Sequence, residues 1–365
     1  MDDFDRNIWC LLGLPFDAID MQRVTESVRC SAIEKHSCFI STPNLNFLIA
    51  SQSDPDFRRS VINSELSIAD GMPLVWVARW LGIPLPERVT GSGMIEMLRK
   101  DDTGSSKAIS VFFFGGEKGI AEQACQVINQ EQGGLACTGF YSPGFGSVSD
   151  MSDSTIIETI NDSNADFIIV SLGAKKGQAW IEHNRGKLSA PVISHLGAVV
   201  NFVAGNVQRA PVWMQKAGLE WIWRILEEPK LWQRYFSDGA RFLALIVRRV
   251  LPYAVWRYAN KDKLNTNHPV TFDVNYPTGL IIISLHGNCV HQSIAPLREI
   301  FRLELEKSVS IRLDLSAVPV IDGAFLGLCL VLRKHLDKKG LVLEFVGLNK
   351  TVRRLFLWNC VDYLL

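Results

Sequence analysis

Short apolar runs, each closed by glycine or small polar residues, recur along the first half of the chain and are separated by longer amphipathic stretches. Runs of this length are typical of buried strands, and the stretches between them are long enough to form helices. Strands that alternate with helices pair in parallel and carry helices on both faces. The pattern therefore predicts a Rossmann-like α/β fold with a mostly parallel sheet, its strands at residues 9–12, 38–41, 109–114, 167–172 and 191–196.

The C-terminal part of the chain has a pattern of its own. Apolar runs at 280–285, 311–315 and 341–346 alternate with helix-like segments, which predicts a small α/β module. The module contains no evident pair of nucleophile and base, so it is interpreted as an interaction domain. The polar stretch at 261–269 breaks the periodicity and marks a boundary. The predicted domains are residues 1–237, 238–268 and 269–365.

Residues 238–268 combine arginines with an apolar surface. Arg234, Arg241 and Arg248 recur every seven residues, so they share one helix face. Arg248 and Pro252 interrupt the apolar run, which is shorter than the ~20 residues that a bilayer span needs. A basic amphipathic segment of this kind favours a position on an anionic membrane surface. The alternative is a helix that packs on its own domain and turns its arginines to solvent.

The composition argues against several classes of function, namely nucleic-acid binding, zinc binding and secretion. The 365 residues carry equal numbers of basic and acidic side chains, and this net charge of zero gives no field that would attract nucleic acid. The eight cysteines form no Cys-x-x-Cys pair and no zinc-type grouping, which favours reduced thiols in a cytoplasmic protein. The first residues are acidic where a secretory signal would be basic, so the cytoplasm is the expected location.

The main candidate for chemistry is Asp70. A short apolar run leads into it, and the Gly-Met-Pro sequence that follows can turn the backbone sharply. The carboxylate would then stand at the end of a buried strand, facing the crevice in which open α/β sheets bind ligands. A carboxylate in that place can act as a general base toward a sugar hydroxyl. The alternative is a turn or helix-capping role, which is common for Asp-Gly pairs.

Other strand ends carry groups suited to a nucleotide or a sugar. Thr42 and Asn44 follow one strand and can hydrogen-bond a ligand, although helix capping explains them equally well. Gly115 and Gly116 end another strand ahead of a helix, an arrangement that suits phosphate. Arg88, followed by a Gly-x-Gly, is placed to hold a phosphate.

Two later strand ends give weaker signals. Lys175 and Lys176 come directly after a strand and can meet an anionic group, with a solvated lysine pair as the open alternative. His195 ends the next strand, where a histidine is more often part of a satisfied core than a catalyst. A Rossmann-type oxidoreductase is disfavoured, because the chain lacks both the G-x-G-x-x-G fingerprint and a Tyr-x-x-x-Lys motif.

An ordered series of motifs makes residues 8–236 resemble the WecG/TagA/CpsF glycosyltransferases of bacterial cell-surface polysaccharide synthesis. The series includes Ala69-Asp70-Gly71-x-Pro73 and Arg88-Val89-x-Gly91. Its most specific part reads Arg209-Ala210-Pro211-x-Trp213, Gly218-Leu219-Glu220-Trp221-x-x-Arg224, Glu228-Pro229 and Arg234-Tyr235.

The resemblance implies inverting transfer of an N-acetylmannosamine-type sugar, without a bound metal, from a UDP donor to a polyprenyl-diphosphate-linked sugar at the inner face of the plasma membrane. Asp70 matches the proposed base of the family, and Thr42 and Asn44 match residues that line the site. Arg88 matches an arginine that serves the phosphates or the acceptor. The remaining substrate contacts that the resemblance implies are Gly115, Gly116, Lys176, Gln178, Arg209, Glu220 and Arg224.

Residues 173–180 depart from the pattern of the family. The family has Gly-x-Pro-x-Gln-Glu-x-Trp after this strand, whereas Gly177 replaces the glutamine and Gln178 replaces the glutamate here. Gly93 also stands where an aspartate is common. The altered segment keeps open a second hypothesis, a degenerate domain that binds a nucleotide sugar and signals through its C-terminal module.

Residues 270–365 resemble a STAS domain, the fold of anti-sigma-factor antagonists and of sulfate-transporter tails. The resemblance is carried by residues 313–327, where a strand runs into a helix at Asp322. Phosphorylated members have Ser or Thr after this aspartate, and here Gly323 and Ala324 follow it. A phosphorylation switch is therefore not expected, and the resemblance implies a ligand or a protein partner.

Overall fold

The computed structural model describes residues 2–101, 108–207, 209–265 and 268–365, and for residues 212 and 216 only the backbone is used. In chain order the strands are β1 (Ile8–Leu11), β2 (Leu14–Asp17), β3 (Cys38–Ser41), β4 (Leu66–Ser67), β5 (Ile109–Gly115), β6 (Leu135–Tyr141), β7 (Phe167–Ser171), β8 (Val192–His195), β9 (Thr271–Asn275), β10 (Leu280–His286), β11 (Ser310–Ala317) and β12 (Leu343–Val346).

The first group of helices belongs to the N-terminal part: α1 (Met21–Glu34), α2 (Leu45–Ser53), α3 (Pro55–Ile62), α4 (Met72–Trp80), α5 (Gly91–Lys100), α6 (Ile120–Glu131), α7 (Ser154–Asp162), α8 (Ala174–Asn184) and α9 (Val199–Val203). The second group connects this part to the C-terminal module and completes that module: α10 (Val212–Lys216), α11 (Glu220–Glu227), α12 (Trp232–Leu245), α13 (Leu251–Ala259), α14 (Lys261–Leu264), α15 (Ala295–Glu306), α16 (Gly323–Lys338) and α17 (Lys350–Trp358).

The central sheet has six parallel strands in the order β4-β3-β8-β7-β5-β6, as the alternation of strands and helices predicts. Apart from the edge strand β6, its strands are largely buried on both faces. In β5, Val111 and Phe113 pack into one apolar layer, and Phe112 and Phe114 pack into the other. A parallel sheet covered by helices on both sides needs such continuous apolar strands. The Rossmann-like prediction is confirmed.

All strands of a parallel sheet end at the same edge. The segments that follow β3, β4, β5, β7 and β8 therefore lie along one side of the central sheet, and they carry the candidate residues of the sequence. Ligands of open α/β sheets bind at this carboxyl edge. The parallel topology alone is therefore enough to place the candidate site residues that follow these strands along the carboxyl edge of the sheet.

The first apolar run forms two strands where the sequence predicts one. β1 and β2 pair antiparallel through a two-residue turn, in which Leu12 has φ 50° and Gly13 has φ 89°. Both values lie in the left-handed region that a tight hairpin turn requires. The hairpin does not join the six-stranded sheet but forms a sheet of its own.

The C-terminal module has a four-stranded mixed sheet in the order β12-β11-β10-β9. β9 runs antiparallel to β10, and the other pairs are parallel. Twelve of the 16 residues of α16 are buried. A helix that is apolar on every side must be covered on every side. Here one side packs on the module, and another packs on β1 of the N-terminal part.

The helices between the two parts form a nearly continuous run. Arg248, Arg249 and Pro252 interrupt its apolar sequence, as predicted, but they do not interrupt the helix, because one π-helical turn (Ile246–Val250) joins α12 to α13 and places Pro252 in the first turn of α13. Proline is tolerated there, since it has no N–H to donate. Among the described residues, no helix is long and apolar enough to cross a membrane. Thr266 and Asn267 of the predicted linker lie outside the described residues.

One apolar core runs through both parts of the chain. It includes Leu11 of the hairpin, Leu74 of α4, Tyr253 of α13 and Phe325 of α16. The C-terminal module therefore shares a hydrophobic core with the N-terminal part and is not an independent domain joined to it only by a linker.

The expectation that all cysteines are reduced thiols does not hold for one pair. A disulfide joins Cys125 of α6 to Cys137 of β6. The disulfide was not predicted because two cysteines 12 residues apart form no recognisable motif, and the sequence alone does not show that this helix and this strand bring them together. Cys30 is a free and exposed thiol, and the other free cysteines are buried.

Candidate active site

Asp70 lies three residues beyond the end of β4, on the carboxyl edge of the sheet. Its backbone N–H donates to the carbonyl of Pro43 at 2.9 Å, which ties this segment to the one that follows β3. The N-cap position of α4 is taken by Gly71, without any side-chain hydrogen bond. The Asp70 carboxylate therefore does not cap α4. The N–H of Gly91, the first residue of α5, lowers the pKa of this carboxyl group.

Burial raises the pKa of Asp70 to about 6. The negative charge of Glu220 acts in the same direction, whereas Arg88, the Gly91 N–H and Arg209 oppose it. The balance follows from ordinary electrostatics, because burial favours the neutral acid and nearby cations favour the carboxylate. A carboxyl group with a pKa near 6 is ionised at neutral pH and more basic than an exposed aspartate.

Arg88 and Glu220 form an ion pair at 2.8 Å, and both side chains are largely covered. The pair links the segment between α4 and α5 to the start of α11, which is distant in sequence. Glu220 therefore contacts the arginine that the sequence assigns to phosphate. In this structure the charge of the Arg88 guanidinium is neutralised by the Glu220 carboxylate.

Arg209 completes the group of charges around Asp70. Its positive charge acts on both Asp70 and Glu96, which places it between the strand end and α5. Among the described residues, nothing accepts a hydrogen bond from its buried Nε. Asp70, Arg88, Arg209 and Glu220 are called the site cluster below.

Thr42 and Asn44 lie beside the site cluster. The Oδ1 atom of Asn44 accepts from the N–H of Phe47 at 3.2 Å and so caps α2. The capping alternative is thus realised for Asn44, and its amide nitrogen is left for other partners. Thr42 is 6% exposed, and a Cβ on Gly91 would lie 3.6 Å from its methyl group. Both side chains border the loops that hold Asp70.

Gly115 and Gly116 form a tight turn where β5 ends. Their φ angles are 101° and 81°, which only glycine adopts without strain. A Cβ on Gly115 would lie 2.5 Å from the carbonyl oxygen of Ser171, so the two strand ends meet there at backbone distance. Ser171 is 7% exposed, and its hydroxyl has no partner among the described residues.

The two predicted lysines are both engaged. Lys175 pairs with Asp54 at 2.8 Å, and Lys176 donates to the carbonyl of Gly146 at 2.8 Å. Lys176 therefore ties α8 to the loop after β6. Its contact with a substrate stays a prediction.

Gln178 is fully buried, where it donates to the Ser41 hydroxyl at 3.2 Å. Its Oε1 atom has no partner among the described residues. Gly177 is required by packing, because a side chain there would collide with the imidazole of His195. His195 Nε2 lies 2.6 Å from the Leu172 carbonyl, and burial lowers the pKa of this histidine. His195 is a neutral core residue, as the sequence indicates.

Arg224 lies one helical turn after Glu220 in α11. It pairs with Glu228, the residue that follows α11, at 3.7 Å and covers the ring of Phe202. The structure thus brings Asp70, Arg88, Arg209 and Glu220 together and places Thr42 and Asn44 beside them. Lys176 and Arg224 face other partners.

Sequence reasoning missed two groups at this edge. The Gly91 N–H acts on the pKa of Asp70, but a backbone N–H cannot be recognised from the pattern of side chains. The Ser171 hydroxyl, which has no partner among the described residues, was missed because serine at a strand end is common. Among the described residues, no group of three or more His, Cys, Asp or Glu side chains is arranged to hold a metal ion.

Comparison with known proteins adds to this geometry. The sequence model of the WecG/TagA/CpsF glycosyl transferase family matches residues 9–254. This chain belongs to that family. It is therefore a glycosyltransferase, and the family match extends through α12 into α13. A STAS domain model matches residues 271–358, which correspond to the C-terminal mixed sheet and its helices.

Several named transferases are similar to this chain. The N-acetylglucosaminyldiphosphoundecaprenol N-acetyl-beta-D-mannosaminyltransferase of Bacillus spizizenii is 25% identical over 235 residues, which cover 64% of this chain and 88% of the relative. The protein of the same name from Bacillus subtilis is 27% identical over 205 residues, 56% of this chain and 77% of the relative. That from Staphylococcus aureus (strain MW2) is 24% identical over 227 residues, 61% and 85%.

Proposed function

We propose that this chain transfers an N-acetylhexosamine-type sugar, N-acetylmannosamine or its uronic acid, from a UDP donor to a polyprenyl-diphosphate-linked acceptor, with inversion at the sugar. The observation that carries the proposal is the Asp70 carboxyl, partly buried beside Arg88 and Arg209 in a member of this family. The names of the relatives supply the sugar and the lipid-linked acceptor. Product assembly into a cell-surface polymer follows from such an acceptor.

In the proposed reaction Asp70 accepts the proton of the acceptor hydroxyl. The acceptor oxygen then attacks the anomeric carbon of the sugar, and the bond from that carbon to the diphosphate oxygen breaks on the opposite face. The electron pair of that bond leaves with UDP. A base with a pKa near 6 is ionised at cytoplasmic pH and retains useful basicity, which supports this role.

The departing diphosphate needs positive charge or N–H donors, because one further negative charge develops on it as its bond to the sugar breaks. Arg88 and Arg209 are near Asp70 and can supply that positive charge. These groups support a reaction that uses no bound metal. The diphosphate would compete with Glu220 for Arg88, since one guanidinium fork cannot serve both fully.

We further propose that the outer face of α12 and α13 rests on the inner surface of the plasma membrane, where a polyprenyl substrate resides. Exposed apolar side chains recur there every three, four or seven residues, and Arg234, Arg241 and Arg248 are exposed beside them. An apolar stripe flanked by arginines suits an anionic lipid surface. The stripe consists of Trp232, Phe236, Leu243, Val247, Leu251, Val255 and Tyr258.

The catalytic proposal is tested by transfer of labelled sugar from UDP-N-acetylmannosamine, or its uronic acid, to a polyprenyl-diphosphate-linked N-acetylglucosamine. Asp70→Asn should reduce kcat by roughly 10²–10⁴-fold, the usual effect of losing a general base. Asp56→Asn, which changes an exposed aspartate, is the matched control and should keep wild-type activity. Full activity of Asp70→Asn would remove the base assignment. Tight UDP-sugar binding without turnover on any acceptor would favour a degenerate binding protein, to which the altered Gly177-Gln178 segment also points.

The membrane proposal has its own measurement. Wild-type protein should sediment with phosphatidylglycerol vesicles and much less with phosphatidylcholine vesicles. Leu243→Asp combined with Val247→Asp should abolish sedimentation. Ile33→Asp replaces an equally exposed apolar residue on α1 and should have no effect. Equal loss in both variants would exclude the α12–α13 face as the contact.

A further inference from the structure

The C-terminal STAS domain meets the N-terminal part through a face of α16 that is shaped for close contact. Gly323 and Gly327 are one helical turn apart and both face β1. A Cβ on Gly323 would lie 3.0 Å from the carbonyl oxygen of Cys10, and one on Gly327 would lie 2.8 Å from that of Ile8. Small residues at this spacing let the helix backbone approach the strand directly. Larger residues would push the two apart.

A set of buried charges lies at the other end of the same face. Lys334 of α16 is 1% exposed, and its ammonium reaches Asp3 at 2.8 Å and Glu65 at 3.2 Å. Arg6 forms a two-pronged pair with Asp17, at 2.9 and 2.7 Å. Asp3, Arg6, Asp17, Glu65 and Lys334 are called the interface cluster. Long cationic side chains are seldom buried this deeply unless they are fully paired.

The interface cluster holds the chain segment that leads to Asp70. Lys334 donates to the carbonyl of Ser64 at 2.9 Å, and Arg6 donates to the same oxygen at 3.2 Å. The carboxylate of Asp17 accepts from the N–H of Ser67 at 2.7 Å. β4 contributes only two residues to the sheet, so it has few ladder hydrogen bonds of its own. These side-chain contacts therefore replace much of the support that a longer strand would have.

A second route connects the STAS domain to the opposite side of the site. Trp358 of α17 packs on Tyr253 and Trp256 of α13, and Arg249 donates to the carbonyl of Leu357 at 2.8 Å. Further along the same helical run, Asp238 of α12 accepts from Asn46 of α2 at 3.0 Å. The helices that lead back to Glu220 are thus fixed at both ends.

We infer that the STAS domain is a positioning part of the transferase, with Lys334 as the residue that holds the Ser64–Asp70 segment in place. The surface of α16 is used within the chain, and it fixes the base relative to the arginines of the site cluster. Lys334 touches neither Asp70 nor a substrate, so it acts through the backbone of Ser64. Its kinetic consequence rests on the proposed function, whereas its structural consequence does not.

The test uses the full chain and compares Lys334→Met with Arg333→Met. Arg333 is the preceding residue of α16 and pairs only weakly within the helix, with Asp337 at 3.5 Å. Amide hydrogen exchange should be at least roughly fivefold faster in residues 64–72 of Lys334→Met, and within about twofold of wild type in Arg333→Met. Equal exchange in wild type and Lys334→Met would overturn the inference.

A second variant guards against misfolding. Lys334→Met leaves Asp3 with less positive charge, so Asp3→Asn combined with Lys334→Met removes both charges and should fold while still exchanging faster in residues 64–72. If the double variant exchanges like wild type, Lys334 does not hold the segment.

The kinetic readout separates this inference from the proposed function. In Lys334→Met, kcat should fall roughly tenfold while the KM for the donor stays within twofold, since the base is displaced but the donor site is intact. A fall in both variants alike would indicate general destabilisation and count against positioning. If wild type transfers no sugar at all, the proposed function fails, and the exchange experiment still decides the role of Lys334.

Discussion

The fold encloses two groups of charged side chains, and they differ in how well they are paired. In the interface cluster, Lys334 has two carboxylates and a carbonyl within bonding distance. Burial alone would raise the pKa of Asp3, but hydrogen bonding from His335 and the charges of Lys334 and Arg6 hold that pKa well below its usual range. The cluster is internally complete.

In the site cluster, by contrast, the buried polar and charged groups are not all paired. Burial keeps the pKa of Asp70 raised, at about 6, despite two nearby arginines. Among the described residues, the Nε of Arg209 has no acceptor, and neither the Ser171 hydroxyl nor the Oε1 of Gln178 at the same sheet edge has a partner. Buried polar groups without partners are costly in a folded protein.

This difference in pairing indicates that the interface cluster stabilises the fold and that the site cluster is suited to binding a ligand. A complete set of buried pairs fixes one arrangement of two domains, because any displacement would expose unpaired charge. An incomplete set gains more from a ligand that supplies the missing partners. Both groups contact the same short segment: the interface cluster holds its backbone at Ser64 and Ser67, and Asp70 of the site cluster follows three residues later. The complete group thus supports the incomplete one.

The largest expected effect comes from breaking the complete group. Arg6→Met leaves Asp17 buried without its main partner and removes one of the partners of Asp3, and removal of one side of such a pair costs about 3–5 kcal/mol of unfolding free energy. Urea denaturation followed by circular dichroism measures it. Arg302→Met, which breaks exposed pairs with Asp2 and Asp5, is the control and should leave the midpoint unchanged within error. A small loss for Arg6→Met would mean that the cluster is not structurally important.

The next effect concerns the contact that lets the interface cluster form. Gly327→Val places branched carbon atoms where the carbonyl of Ile8 already lies 2.8 Å from a Cβ, so α16 must move from β1. Overpacking of this kind costs about 1–3 kcal/mol, which thermal denaturation detects. Gly186→Val has open space around the new side chain and serves as the control. Similar melting temperatures for both variants would show that the helix and the strand are not in firm contact.

The central sheet was predictable from sequence because its strands are apolar on both faces. A run such as residues 109–114 has no surface that tolerates water, so its burial does not depend on distant residues. The STAS module was predictable for the same reason and through its resemblance. The β1–β2 hairpin was missed because Leu12, the first residue of its turn, continues the apolar run, and leucine rarely adopts a positive φ.

The partners of charged residues were less predictable. Lys334 lies in a helix where sequence alone predicts an exposed lysine, and only the approach of a segment 270 residues away buries it. The pairing of Arg88 with Glu220 spans 132 residues and likewise has no local signal. Asp70 itself was found through its motif, since an Asp-Gly pair alone more often marks a turn. Sequence thus identifies the members of the site more readily than their contacts.

A smaller effect tests whether the site cluster carries strain. The pKa of Asp70 is raised in the folded protein from its usual 3.8 to about 6, so the folded state binds this proton more tightly than the unfolded state. Ionised Asp70 therefore destabilises the fold above pH 6, and the effect fades as pH falls toward 3.8. Asp70→Asn should raise the unfolding free energy by about 1–2 kcal/mol at pH 7.5, after allowance for partial exposure. The gain should shrink at pH 4.5.

The control for this measurement is Asp56→Asn, in which an exposed carboxylate is lost. Its stability should follow that of wild type at both pH values. A destabilised Asp70→Asn at pH 7.5 would mean that the two arginines outweigh burial, and that the site is already satisfied in the free protein.

The smallest effect distinguishes two roles for Glu220. If Glu220 serves Arg88 and raises the pKa of Asp70, Glu220→Gln should move the acidic limb of the pH profile of kcat/KM downward by roughly half a unit. The rate rises with pH because the base must be ionised, so the variant should be relatively more active at pH 5.5 than wild type. UDP should also bind more tightly, since Arg88 loses its competing carboxylate. If Glu220 instead contacts the donor substrate directly, one form of the predicted substrate contact, the KM for the donor should rise while the limb stays in place. Glu227→Gln, at the exposed end of α11, should change neither quantity.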